Sequence, residues 1–141
     1  MTYSLYDASI PVFLNALRNL AALLDKAEAH AKTSGVDVAA YLEGRLAADM
    51  HPLTRQIQMA SDAAKGGGAR LAAIAPPSYP DVETTWAEVK DRIAKTIAFL
   101  ETITVEQVAG GEDRTIELPL PGRTMTFTAA DFLARFALPN F

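Results

Sequence analysis

Helical periodicity is clearest in the segment IPVFLNALRNLAALLDKAEAHA, which runs from Ile10 to Ala31. Its apolar residues recur at intervals of three and four, and at 100° per residue they share one face of a helix. Pro11 suits the first turn of such a helix, and Gly35 suits its end. The segment therefore predicts a long amphipathic helix over about residues 9–33.

Two further segments repeat this period. In the first, Asp49 is expected to cap a helix that has Pro52 in its first turn and an apolar stripe to about residue 74. The second covers about residues 84–103 and has capping-box spacing at Thr85 and Glu88. Because the connection between them is short, we expect these two helices to be antiparallel.

Three consecutive glycines interrupt the middle helix at residues 66–68. Glycine costs about 1 kcal/mol relative to alanine inside a helix, so the triplet indicates close approach of a neighbouring helix or a local bend. A phosphate-binding glycine loop is disfavoured, because no strand precedes the triplet and no Lys-Ser/Thr pair follows it. In the next helix, the spacing of Glu88 with Arg92 and of Asp91 with Lys95 predicts two exposed ion pairs.

The C-terminal third of the chain changes to a period of two. Apolar and polar residues alternate over about residues 114–127, and Pro121-Gly122 marks a turn, which together predict a small β-hairpin. Thr128 then opens a further helical pattern over about residues 128–138. We therefore expect a single all-α domain over residues 1–141, with a hairpin before its last helix.

Composition excludes several classes of function. The 13 Lys and Arg residues against 17 Asp and Glu give a net charge of −4, and the two signs are interspersed, which argues against nucleic-acid binding. Without cysteine the chain has no disulfides, no thiolate metal site and no thiol chemistry, and a cytoplasmic location is expected. The longest uncharged runs reach ten residues, too few to cross a membrane.

Candidate site residues are few. Asp49 and Gln56 are seven residues apart, so on one helix they share a face beside the apolar stripe. They are either a helix cap and a partner for a buried backbone group, or the polar rim of a ligand pocket between helices. His30 and His51, the only histidines, both fall on polar faces, so we predict no metal ligands. Asp62 and Lys65 are expected to face solvent.

The order of short motifs along nearly the whole chain resembles an uncharacterised bacterial family within the DinB/YfiT-like superfamily. The resemblance rests on IPVF and LRNL in the first helix, DM, PL and QIQ around the second, AKTI in the third, TFT at the end of the hairpin, and FALPNF at residues 136–141. It implies a four-helix bundle with a small hairpin before the last helix, commonly a homodimer. Better-known members hold a divalent metal with three histidines on helices two and four, and some are thiol transferases or hydrolase-like enzymes.

The chain departs from that pattern at the metal ligands. Gln56 stands on the inward side of the second helix where such members have a histidine, and Asn140 stands at the last helix. Amide side chains are poor ligands compared with imidazole, so no cofactor is predicted from the residues, and a divalent metal is implied by the resemblance alone. Asp49, Gln56 and Asn140 are the candidate ligand-binding residues.

Two functional hypotheses follow. The first is a bundle without strong catalysis that binds a small ligand or a second copy of itself; the second is a DinB-like metal-dependent enzyme. Because the last helical pattern is short, we also expect an incomplete bundle with a truncated last helix and an open apolar groove. That groove would be lined by Phe13, Leu17, Leu53, Ile57, Ile93 and Ile97.

Overall fold

A computed structural model describes residues 3–141 of the chain. Its helices before the hairpin are α1 (Ile10–Ser34), α2 (Ala39–Leu42), α3 (Leu53–Leu71), α4 (Trp86–Glu101) and α5 (Val105–Val108). The hairpin strands are β1 (Thr115–Leu120) and β2 (Arg123–Thr128), and the chain continues as α6 (Ala129–Phe132), a π-helical turn (Leu133–Ala137) and α7 (Leu138–Asn140). None of the helices among these residues is long and apolar enough to cross a membrane.

Helix α1 runs antiparallel to α4. Arg18, near the start of α1, pairs with Glu101 at the end of α4 at 2.6 Å. Asp25, further along α1, pairs with Lys90 near the start of α4 at 2.8 Å. The apolar stripe predicted for α1 faces α3 and α4, and its residue Phe13 is fully buried.

Helices α3 and α4 run parallel, so the prediction of antiparallel neighbours is wrong. The hydroxyls of Ser61 and Thr96 lie 2.7 Å apart, and further along both helices Gly68 faces Leu100. The chain returns to the start of α3 through residues 72–85, which we call the crossover. Because fourteen residues in extended form reach up to about 46 Å, the crossover easily spans the roughly 28 Å length of α3.

The bounds of α3 also differ from the prediction. Pro52 is the residue before the first turn, with ψ 163°, and no side chain caps the helix, so the expected cap by Asp49 is wrong. The helix ends at Leu71 because Ala73 adopts a left-handed conformation with φ 56°. The N–H of Ile74 then bonds the carbonyl of Ala69 at 2.9 Å, closing the last turn.

The glycine triplet lies where α3 meets its neighbours most closely. A Cβ built on Gly68 would lie 2.6 Å from the side chain of Leu100 on α4 and 3.2 Å from that of Ile10 on α1. A Cβ on Gly67 would meet Phe13 at 3.2 Å and Ala137 at 3.4 Å. The predicted close approach of helices at this point is confirmed.

The hairpin and the C-terminal helical segment close one end of the molecule. The strands pair antiparallel from Thr115 with Thr128 to Leu120 with Arg123, around the predicted Pro121-Gly122 turn. Thr128 Oγ1 accepts a hydrogen bond from Asp131 N–H at 3.1 Å, as its capping position predicted.

The predicted open groove is not seen in the part of the chain that the structure describes, residues 3–141. Four of its expected lining residues, Phe13, Leu17, Ile57 and Ile93, are at most 2% exposed within the single chain. The C-terminal segment contributes to this burial, since the ring of Phe141 packs edge-on against Phe13 with 5.1 Å between centroids. The same segment lies against α3, where the side chain of Ala137 faces Gly67.

Candidate functional site

A concave, mainly apolar pocket opens between the C-terminal half of α1, the short helix α2 and the start of α3. We call it the α1–α3 pocket; its volume is about 700 Å³, within the range of small-molecule sites. Its lining residues are Ala27, Ala40, Tyr41, Gly44, Arg45, Leu46, Met50, His51, Leu53 and Gln56. Two of them, Leu46 and Met50, are large apolar residues that remain 93% and 38% exposed.

Three polar side chains line this apolar surface. Gln56 donates a long hydrogen bond of 3.5 Å from Nε2 to the carbonyl of His51. Arg45 donates from Nη1 to the carbonyl of Met50, which ties the connection between α2 and α3 into a loop. His51 follows Met50 and is exposed. The pocket therefore combines an apolar floor with a few hydrogen-bond donors, as ligand sites commonly do.

The three site residues predicted from sequence do not come together. Gln56 lines the pocket, whereas Asp49 is exposed and lies outside the lining. Asn140 donates from Nδ2 to the carbonyl of Phe136 at 2.7 Å, in the segment that packs near Gly67. Gly67 lies eleven residues beyond Gln56, or about 16 Å along α3. Of the three candidates, only Gln56 belongs to the pocket.

The residues that sequence reasoning missed lie in the connection before α3. Arg45, Met50 and His51 line the pocket from a non-helical segment, so no helical period marked them. The sequence carries one signal for this surface, the large apolar residues Leu46 and Met50 in a connection between two helices, and the structure leaves both exposed. Exposed apolar residues of this kind are typical of a binding surface.

A cluster of charged and polar side chains, separate from the pocket, holds the crossover against α3 and α4. Arg92 on α4 is only 2% exposed and bonds Glu83 at 3.0 Å, Asp81 at 3.1 Å and Asp62 at 2.9 Å. Gln58 on α3 donates to Glu83 at 2.9 Å. We call these five residues the Arg92 cluster. They join the crossover to the two parallel helices that it connects.

Two predictions about this region are wrong. Arg92 was expected to form an exposed pair with Glu88, but it is buried and its partners come from the crossover and from α3. Lys65 was expected in solvent, but it is 8% exposed, pairs with Asp62 at 2.7 Å and lies 5.2 Å from the ring centre of Tyr79 on the crossover. The predicted pair of Asp91 and Lys95 is present at 2.7 Å and is exposed.

The ionisation of Glu83 reflects this environment. Burial raises its pKa, but the hydrogen bonds from Arg92 and Gln58 outweigh burial, so the pKa of Glu83 lies below its ordinary value of 4.5. Burial also raises the pKa of Tyr79, against the opposing charges of Lys95 and Arg92. Glu83 is therefore ionised at neutral pH and is suited to holding the crossover against Arg92.

The metal implied by the DinB-like resemblance does not fit the side chains that the structure brings together. Within residues 3–141, no group of three His, Cys, Asp or Glu residues is placed to hold a metal ion. The carboxylates of the Arg92 cluster, which are the groups there that could bind a metal ion, already form ion pairs with Arg92. We derive no reaction step through a metal.

Comparisons with known proteins agree on the fold. A family model described as a domain of unknown function, DUF1993, matches residues 5–141. The crystal structure of a DinB family member protein from Shewanella denitrificans superposes with a TM-score of 0.85 at 39% identity. The superposition covers 96% of this chain and 77% of that chain. No curated protein matches the chain.

Proposed function

Because this chain belongs to the DUF1993 family and has the DinB-like fold, we propose that it binds a small apolar molecule in the α1–α3 pocket. The observation that carries the proposal is a pocket of about 700 Å³ whose floor is apolar and which has only three polar side chains besides Tyr41. Burying an apolar molecule there removes hydrocarbon surface from water, at about 25 cal/mol per Å².

The pocket has one wall on packed helices and another on a non-helical connection. Its floor comes from Ala27 on α1 and Leu53 on α3, two helices that the buried core holds in register. Its other wall is the connection that carries Leu46, which lies almost entirely in water, and Met50, which is partly exposed. A ligand would cover these two side chains, and their burial contributes to its affinity.

The only tryptophan of the chain provides a direct readout. Trp86 is buried and packs edge-on against Tyr41, with 6.3 Å between ring centres, and Tyr41 lines the pocket. Titration with decan-1-ol, a neutral apolar probe, should therefore give a saturable change in Trp86 fluorescence. The absence of a saturable change would overturn the proposal.

A matched pair of variants locates the binding. Ala27→Phe fills the pocket without removing a polar group, so it should weaken decan-1-ol binding about tenfold or more. Ala29→Phe adds the same ring at an exposed position two residues further along α1 and should leave binding unchanged. Equal affinity in the two variants would contradict the location, and melting curves of both variants report whether each one folds.

The competing occupant is a second copy of the chain, which would cover the same exposed Leu46 and Met50. Light scattering of the free protein distinguishes the two. A dimer that Leu46→Glu converts to a monomer, with no effect of decan-1-ol on fluorescence, would assign the surface to self-association and contradict the ligand proposal.

A further inference from the structure

We infer that the molecule taken up by the α1–α3 pocket is an apolar acid, with its hydrocarbon part on the pocket floor and its carboxylate at Arg45 and His51. The inference rests on the proposed function and adds the chemical class of the ligand. It is carried by the charges of the pocket lining.

The pocket lining contains basic side chains and no acidic ones. Of its ten residues, Arg45 carries a positive charge, His51 offers an imidazole N–H, and none is a carboxylate. Carboxylates do occur in the same connection, at Glu43 and Asp49, but both are exposed and neither lines the pocket. An anionic group entering the pocket thus meets the Arg45 guanidinium and the N–H donors beside it, and a cationic group meets no carboxylate.

The donors of these residues are only partly used. Arg45 has five N–H donors, and within residues 3–141 its side chain uses one donor group, Nη1, in a bond to the carbonyl of Met50. That bond holds the guanidinium against the loop wall and leaves the remaining donors for a planar acceptor. A carboxylate matches this fork geometry, and charge-assisted bonds of this kind are about twice as strong as neutral ones.

Gln56 completes the polar edge. Among the residues that the structure describes, its Nε2 bonds only the carbonyl of His51, at a long 3.5 Å that is easily exchanged for a shorter bond. The amide is half-buried and lies on α3, the rigid wall of the pocket. It can donate to the second carboxylate oxygen without any change in the helix.

The test uses Trp86 fluorescence to compare three probes that share a decyl-length chain: decanoate and decyltrimethylammonium below their micelle concentrations, and decan-1-ol below its solubility limit. Decanoate should bind about tenfold more tightly than decan-1-ol, and the cation should bind more weakly than either. The preference for decanoate should decrease as salt is added, because the cationic side chains are solvent-exposed.

Variants assign the preference to the named residues. Arg45→Gln combined with His51→Gln should reduce the ratio of decanoate affinity to decan-1-ol affinity to about one, whatever the variant does to the affinity for decan-1-ol itself. Arg45→Lys alone should retain only part of the preference for decanoate, because lysine keeps the positive charge and loses the fork geometry. Arg135→Gln removes a cation from the C-terminal segment, where its side chain is 75% exposed, and should change nothing.

The outcomes separate the inference from the function on which it rests. Saturable binding of decan-1-ol with equal or weaker binding of decanoate would overturn the acid inference and leave the apolar pocket standing. Binding of neither probe would overturn both. A decanoate preference that survives the double variant would contradict the assignment to Arg45 and His51.

Discussion

Removing the Arg92 side chain tests how the crossover is held between two parallel helices. In Arg92→Ala the carboxylate of Glu83, itself only 10% exposed, loses its 3.0 Å partner and retains the hydrogen bond from Gln58. Breaking a buried ion pair by removing one partner costs about 3 to 5 kcal/mol. Asp62 and Asp81, about 40% exposed, regain water and add little.

We therefore expect Arg92→Ala to lower the free energy of unfolding by about 3 kcal/mol. For 141 residues the entropy of unfolding is roughly 0.3 kcal/mol per kelvin, so the melting temperature should fall by about 10 °C. Thermal and urea unfolding followed by circular dichroism measure both quantities.

Lys95→Ala is the matched control, because Lys95 lies on the same helix and its pair with Asp91 is exposed. It should change stability by less than about 0.5 kcal/mol. Adding Glu83→Gln to Arg92→Ala should restore part of the loss, because the uncompensated buried charge is then removed. A melting temperature of Arg92→Ala within 2 °C of the wild type would refute the reasoning.

Three further variants check separate parts of the structure. Gly68→Ala should lower the free energy of unfolding by about 1 to 3 kcal/mol, because its Cβ would meet Leu100 at 2.6 Å. In Gly66→Ala the new Cβ would meet the flexible end of the Arg70 side chain, so this variant should be neutral or stabilising by up to about 1 kcal/mol. Equal melting temperatures of the two variants would contradict the close packing. Glu83 contributes stability that is present above its ordinary pKa of 4.5 and is lost as pH falls through its lower folded pKa, so Glu83→Gln should flatten the acid limb of a stability profile, and an unchanged limb would argue against it. Gln56→Ala should change stability by less than about 0.5 kcal/mol because its only bond is long and exposed; a larger loss in urea unfolding would indicate a buried role.

Local features of the fold could be predicted from the sequence because short-range chemistry decides them. The capping box at the start of α4 is present as expected, with Glu88 N–H donating to Thr85 Oγ1 at 3.2 Å and Thr85 N–H donating to Glu88 Oε2 at 3.0 Å. The turn at Pro121-Gly122 sets the hairpin register, and the glycine triplet marks close helix packing. Each of these signals lies within a few residues of the feature it specifies.

The direction of α4 could not be predicted in the same way. It depends on whether residues 72–85 fold back at once or extend, and that choice is made by contacts between the crossover and distant parts of the chain. The interaction of Arg92 with Glu83 and with Asp62 on α3 is such a contact. The burial of Arg92 could nevertheless have been predicted from the sequence. Arg92 lies three residues after Val89 and directly before Ile93, which places it beside the apolar stripe of the helix.

The candidate site was predictable only in part. Gln56 was found because it follows a helical period, whereas Arg45 and His51 line the pocket from a connection without any period. Asp49 was misplaced because the helix starts at Leu53, and Asn140 because it bonds its own segment. Pockets formed by irregular segments depend on the path of the backbone, which residue spacing alone does not determine.

The most direct test of the central claim is a map of amide chemical shifts in the ¹⁵N-labelled protein during titration with decan-1-ol. Binding in the α1–α3 pocket predicts shifts concentrated in residues 40–56 and around Ala27, with the hairpin and the region of Tyr79 unaffected. Shifts concentrated at Tyr79 and Lys95 or at the hairpin, or no saturable shifts at all, would contradict the claim that this pocket is the functional site.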